Sequence, residues 1–179
     1  RDDRLAAECE RLGVSVIRGS TDDVLSRFAK AVKDDAADAI VRICADNPFI
    51  DPACIDQLVR EYRESGAEYA FNHRPQGTCD YADGFGAEIL SRGLLDKLLS
   101  SKLSPQHREH VTLAVVDGTI PARTHACSAP SELAHPQLRF DIDTQDDLSK
   151  LNRLVVAGHL TPSTSASDIV KACLGGSVK

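Results

Sequence analysis

Asp46 and Asp143 have the settings in this chain that most suggest chemistry. Each follows an apolar run: Ala39-Ile40-Val41 leads through Arg42-Ile43-Cys44 to Asp46, and Leu138-Arg139-Phe140 leads to Asp143. In an open α/β sheet the ligand crevice lies beyond the carboxyl ends of the strands, so a carboxylate there faces a site. If the two strands are neighbours, the carboxylates converge and repel. A hard divalent cation resolves that repulsion, and Mg²⁺ typically takes one or two carboxylates plus substrate phosphates. Each aspartate also reads as a helix cap, since Asp46 precedes Pro48 in a turn and Asp143 precedes Thr144 at a helix start; the pair together favours a metal site. His107 and His110, spaced i, i+3, offer a second metal pair, but with no third ligand in view.

The elements that must position these residues follow from periodicity and caps. Arg4 to Leu12 carries Leu5, Cys9 and Leu12 at helical spacing, with Gly13 as its left-handed stop. Val14 to Ile17 is then a short strand. Ser20 and Thr21 can cap a helix bearing Val24, Leu25, Phe28 and Val32, with Asp22 and Asp23 at its positive end. Ala39 to Cys44 is a nearly all-apolar strand, as expected where both faces of a sheet are covered. Asp51 and Pro52 open a helix that Gly66 ends, and Glu68 to Phe71 is a strand. Residues 72 to 86, from Asn72-His73-Arg74 to Asp83-Gly84-Phe85-Gly86, are turn formers and polar groups and predict a long loop or hairpin, the kind that often binds ligands. Ala87 to Leu90 is a strand, and Ser91 caps the helix after it. Ser104-Pro105 opens a helix running through Val111 and Val115 toward Gly118. Leu138 to Ile142 is the last strand, and Thr144 caps a helix stopped by Gly158. The alternation predicts an α/β sandwich with a mostly parallel sheet, as one domain over residues 1–160, followed by a linker and short terminal helix over 161–179.

Composition excludes several classes of function. The 179 residues carry a formal charge of −6, and their lysines and arginines are scattered, so a nucleic-acid backbone is not an expected partner. No apolar run spans a bilayer, and no signal-peptide core is present; a cytoplasmic protein with no membrane partner is expected. The six cysteines include no C-x-x-C pair and read as reduced and structural.

Four stretches read together, "RICADNPFID", "DGFGAEIL", "SPQHREHVT" and "LRFDIDTQDDL", resemble the cytidylyltransferases that activate acidic sugars as CMP-sugars. The likeness is to a spore-coat polysaccharide cytidylyltransferase-like branch, related to the CMP-sialate and 3-deoxy-manno-octulosonate cytidylyltransferases, and it runs from about Val14 to about Val155. It implies a Rossmann-like three-layer sandwich of the nucleotide-diphospho-sugar transferase type. It also implies an enzyme that uses CTP, an acidic sugar and Mg²⁺, and a homodimer.

By the same resemblance Asp46 and Asp143 bind the catalytic magnesium, with Arg42 either a site cation or a partner for carboxylates. Arg18 and Ser20 fall in the segment near the cytosine base, where Ser20 reads equally as an N-cap, and Asn47 follows the metal aspartate. Asp83, Gly84 and Glu88 match the sugar-side loop and strand, although an exposed edge-strand glutamate would look identical to Glu88 in sequence. Arg108, Glu109 and His110 match the "R-E-H-V-T" run. Helical neighbours point about 100° apart, so Arg108, whose planar fork suits a phosphate or carboxylate, is the strongest of the three. The family's opening loop, of the type Ala-Arg-x-Gly-Ser-x-Arg-Leu-Pro-Gly-Lys, has no counterpart here, and methionine is absent. The expectation is an N-terminally truncated chain that is a weak catalyst or none by itself. Two other readings stay open. One is a nucleotide-sugar-dependent glycosyltransferase, whose Asp-x-Asp motif Asp141-Ile142-Asp143 fits in letters though late in the chain. The other is a non-catalytic binding domain that lost the phosphate loop.

Overall fold

A computed structural model describes residues 2–73 and 79–176. Arg74, Pro75, Gln76, Gly77 and Thr78 of the predicted central loop lie outside them. The chain forms two compact units, one built from residues up to Asp38 together with Leu95–Pro121, the other from Ala39–Leu94 and from Ala122 onward.

In the first unit, α1 (Asp3–Arg11) ends at Gly13, whose φ of 72° lets the Val14 N–H reach back to the Cys9 carbonyl at 2.8 Å and the Gly13 N–H to Glu10 at 3.0 Å. This satisfies carbonyls the helix leaves open. Val14 to Ile17, expected as a strand, is extended chain without a ladder partner among the described residues. Its four residues have strand-like types, but a strand exists only where another strand accepts its hydrogen bonds. α2 (Val24–Ala31) is capped by Asp23, which accepts from the Ser26 N–H at 3.0 Å, and not by Ser20 or Thr21. The expected helix from Ser104 to Gly118 is two pieces, α5 (Pro105–Glu109) and α6 (Leu113–Val116), broken at His110 where ψ is 87°.

The second unit holds the sheet, in the order β1 (Ala39–Arg42), β3 (Glu88–Ser91), β2 (Tyr69–Phe71), β4 (Thr124–Ala126). β3 runs antiparallel to both β1 and β2, while β2 and β4 are parallel. Three strands therefore share one direction and the fourth is inserted against them, so the sheet is α/β in plan but mixed rather than mostly parallel in its pairings. The order in the chain accounts for it: β3 is the next strand after β2 and pairs with it antiparallel, whereas β1 reaches β2 by crossing over through α3 (Pro52–Ser65). β1 is an edge of the described sheet, with Val41 and Ile43 exposed, which corrects the expectation that both its faces are covered. β4 was not foreseen, because three residues with alternating exposure leave too little pattern to read.

Leu138 to Ile142, expected as a strand, is an extended segment with a single parallel bridge between Arg139 and Asp83. α4 (Arg92–Ser100) begins at Ser91, whose hydroxyl accepts from the Leu94 N–H. α7 (Gln145–Ala157) opens with a capping box in which Thr144 and Asp147 each accept from the other's backbone N–H. α8 (Ala166–Gly175) buries Ala166, Ile169 and Val170 in the same core as Leu58, Tyr81, Phe85, Ile89, Phe140 and Leu151. No described helix is long and apolar enough to cross a membrane.

Candidate functional site

Three segments of the second unit meet where the carboxylates stand. Beyond β1 the chain turns, with the Asn47 N–H donating to the Cys44 carbonyl at 3.3 Å, and this turn holds Asp46 exposed and Asn47 half-buried. The Ile142 N–H donates to the Asp46 carbonyl at 2.9 Å, which places Asp143 one residue from the contact. On the other side of the 138–142 segment, the Asp83 N–H donates to Leu138 and the Phe140 N–H to Asp83, both at 3.0 Å. Gly84 is what permits this approach: its φ is 108°, and a Cβ there would lie 2.9 Å from the Phe140 backbone. Arg139 organises the acidic side chains, its Nε donating to Asp141 at 3.0 Å and its Nη2 to Asp143 at 3.0 Å. Burial and the neighbouring Asp141 push the Asp83 carboxyl up, against the opposing pull of His73 and Arg139.

A second constellation sits on the sheet itself. Glu88 begins β3, directly opposite Arg42 on β1 and Phe71 on β2, and is 1 % exposed. Arg42 Nη1 donates to its Oε2, the Tyr69 hydroxyl donates to its Oε1, and His73 Nε2 approaches Oε1 at 3.4 Å, a charge contact longer than a well-formed hydrogen bond. Burial acts to raise this carboxyl, but His73, Arg42 and Tyr69 together outweigh it and hold it down to about 2. Beside it the buried Asn72 accepts from the Ala87 N–H at 2.8 Å and donates to the Cys54 carbonyl at 2.7 Å, and Gly86 leaves it room. The stretch to which the resemblance assigns a sugar-side role is thus packed through buried hydrogen bonds.

In the first unit, Arg18 is paired with Asp3 at 2.7 Å, and its carbonyl accepts from Lys30. The Ser20 hydroxyl accepts from the Asp23 N–H at 3.1 Å. Arg108 spends its fork on Asp23, through Nε at 2.9 Å and Nη2 at 2.6 Å. Arg108 meets the Asp23 carboxylate, whose backbone N–H donates to the Ser20 hydroxyl, so these three are drawn together, while Glu109 and His110 are exposed. His107 meets Asp117 at 2.8 Å, so it is not paired with His110 as a metal site. Arg27, which the sequence did not single out, has a buried Nε without a hydrogen-bond partner among the described residues, and its stem lies against Gly19, where a Cβ would come within 2.7 Å.

Sequence reasoning also missed Arg139, Tyr69, Asn72 and His73. Arg139 had a readable signal, lying two and four residues before the two aspartates it binds. Tyr69 and Asn72 had none, because their partners are fixed by strand register.

An α/β unit that sets Asp46, in the turn beyond β1, on backbone adjoining Asp143 suits a nucleotidyltransferase, and comparison with known proteins agrees. Residues 2–166 match the family model for cytidylyltransferases. The chain is 32% identical over 170 residues to the spore coat polysaccharide biosynthesis protein SpsF of Bacillus subtilis, covering 94% of this chain and 68% of that protein. It is 31% identical over 146 residues to an uncharacterized protein of Methanocaldococcus jannaschii, covering 82% of this chain and 58% of that one. The structure of a cytidylyltransferase from Leptospira borgpetersenii superposes with a TM-score of 0.85 at 30% identity, over 97% of this chain and 71% of that one. This chain belongs to the cytidylyltransferase family.

Proposed function

We propose that this chain supplies the metal and sugar sides of a Mg²⁺-dependent transfer of CMP from CTP to an acidic sugar, with release of pyrophosphate, in the synthesis of a surface polysaccharide or glycan. A sugar hydroxyl oxygen bonds to the α-phosphorus, the bond from that phosphorus to the bridging oxygen breaks, and the hydroxyl proton passes to solvent. The observation that carries this reading is the 2.9 Å hydrogen bond from Ile142 to Asp46, which sets the two family aspartates on adjoining backbone. The kinship with SpsF supports the polysaccharide context.

The residues fit a magnesium ion. Both donors are carboxylate oxygens, and among the described residues no third ligand of the His, Cys, Asp or Glu type joins them, which suits an ion that keeps waters and takes phosphate oxygens. When bound, the ion would neutralise charge on the transferring phosphate. Asp46 and Asp143 would hold it, and Arg139, which donates to Asp141 and Asp143, orients the carboxylates beside it. Arg42 and Glu88 keep the floor of the site rigid. A cytoplasmic homodimer is part of the proposal.

The test is CTP-dependent pyrophosphate release with a panel of sugar acids, on the 179-residue chain and on the protein with any upstream sequence its gene encodes. Asp46→Asn and Asp143→Asn should each cut the rate by about a hundredfold or more, the equivalent of several kcal/mol of lost charge stabilisation. Unchanged activity in either variant would remove that aspartate from the metal site. Metal-dependent CTP binding without pyrophosphate release in the presence of any sugar acid would favour the binding-domain reading.

A further inference from the structure

Between α3 and β4 of the second unit, three side chains that the transfer reaction does not use converge. Glu61 lies on α3, His125 is the middle residue of β4, and Cys127 follows β4 by one residue. Their potential ligand atoms all lie within 4.8 Å of one another. His125 and Cys127 are two apart in extended chain and so share a face, and the Cys127 N–H donates to the Phe71 carbonyl at 2.9 Å, which continues the strand.

The carboxylate is already oriented. Gln57 donates to Glu61 Oε1 at 2.8 Å from one turn earlier on α3, leaving Oε2 toward His125 Nε2 at 2.9 Å. Next to them the fully buried Tyr81 hydroxyl has no hydrogen-bond partner among the described residues, although it lies close enough to Cys127 and Glu61 to feel their charge. A buried hydroxyl left unpartnered costs free energy unless something supplies a partner.

We propose that Glu61, His125 and Cys127 form a binding site for a thiophilic divalent cation of the Zn²⁺ type. Thiolate, imidazole and carboxylate are the donors such an ion selects, whereas Mg²⁺ prefers oxygen alone. Three protein ligands with an open fourth position is a common zinc arrangement. The fourth place falls to water, a hydrogen-bond partner for the Tyr81 hydroxyl. On loading, the Cys127 thiol releases its proton to solvent, and the imidazole proton that faced Glu61 from Nε2 is given up in favour of the Nδ1–H tautomer, which frees Nε2 to bind the ion. Thiolate and carboxylate together then neutralise the dication, as a half-buried ion requires. The ion enters past His125 and Glu61, whose side chains are 35% and 25% exposed, because Cys127 itself is buried. Bound there, it clips α3 to β4, independently of any catalysis at Asp46.

The test is titration of the reduced, chelator-stripped protein with Zn²⁺, and with Co²⁺ for its thiolate charge-transfer absorption. One equivalent should bind per chain, with a cobalt–thiolate band. Cys127→Ser should abolish the band, and Cys127→Ser and His125→Gln should each weaken Zn²⁺ binding at least about tenfold. Cys79→Ser should leave both unchanged, and Glu61→Gln, which keeps an acceptor for the Gln57 amide, should weaken Zn²⁺ binding while retaining the cobalt–thiolate band. Absence of the band in the folded wild-type protein, or equal Zn²⁺ binding by wild type and Cys127→Ser, would overturn the proposal.

Discussion

Replacing Glu88 by glutamine should change how the protein's stability depends on acid, and the size of the effect follows from the site. The ordinary carboxyl value is 4.5 and the folded one is held down to about 2. A carboxyl depressed on folding adds stability above its unfolded value, and loses it as the pH falls through its folded one. A difference of about 2.5 units is worth about 3 kcal/mol at neutral pH, of which about 2 kcal/mol is gone by about pH 3. The glutamine variant has no such titration, though it loses the charge-assisted bond with Arg42. Urea unfolding of both proteins between about pH 3 and neutrality measures this directly, since every other acidic group contributes to both curves. The wild type should lose about 2 kcal/mol more than the variant over that range. Parallel curves, agreeing within about 0.5 kcal/mol, would mean that Arg42, Tyr69 and His73 do not hold the carboxylate ionised, and the account of the buried cluster would fail.

Two further substitutions test the scaffold beneath the site. Gly84→Ala places a Cβ against the Phe140 backbone at a positive φ, and should cost about 2 to 5 kcal/mol from strain and overpacking; a melting temperature equal to that of the wild type would show that the 138–142 segment yields freely. Asn72→Ala strips a hydrogen bond from the buried Ala87 N–H and another from the Cys54 carbonyl, and should cost about 2 to 4 kcal/mol. Hydrogen exchange should speed at the Ala87 amide in that variant, and unchanged protection there would contradict the assigned role.

Much of the scaffold was legible before any coordinates. Asp51-Pro52 and Ser104-Pro105 start helices where the sequence places them, Gly66 ends α3 in the left-handed region, and Thr144 with Asp147 forms the expected cap. The failures were of a different kind. Val14 to Ile17 and Leu138 to Ile142 have strand-forming residues but make no ladder among the described residues, whereas Thr124 to Ala126 does. The preference for Ser20 as a cap over Asp23 failed because both are good caps and Asp23 also binds Arg108, 85 residues away.

For the site, residue types alone marked the aspartates, and the family resemblance marked Glu88. Nothing in the sequence shows that Glu88 would be met by Arg42 from 46 residues away, or that Glu61, His125 and Cys127 would adjoin. The sequence by itself determined which stretches start, stop and turn, because a cap or a left-handed glycine is satisfied by groups within about five residues. Only the tertiary structure decided which strands pair, which charges are buried and what neutralises them, because a buried ion or an open ladder is stable only once a distant segment supplies the missing partner.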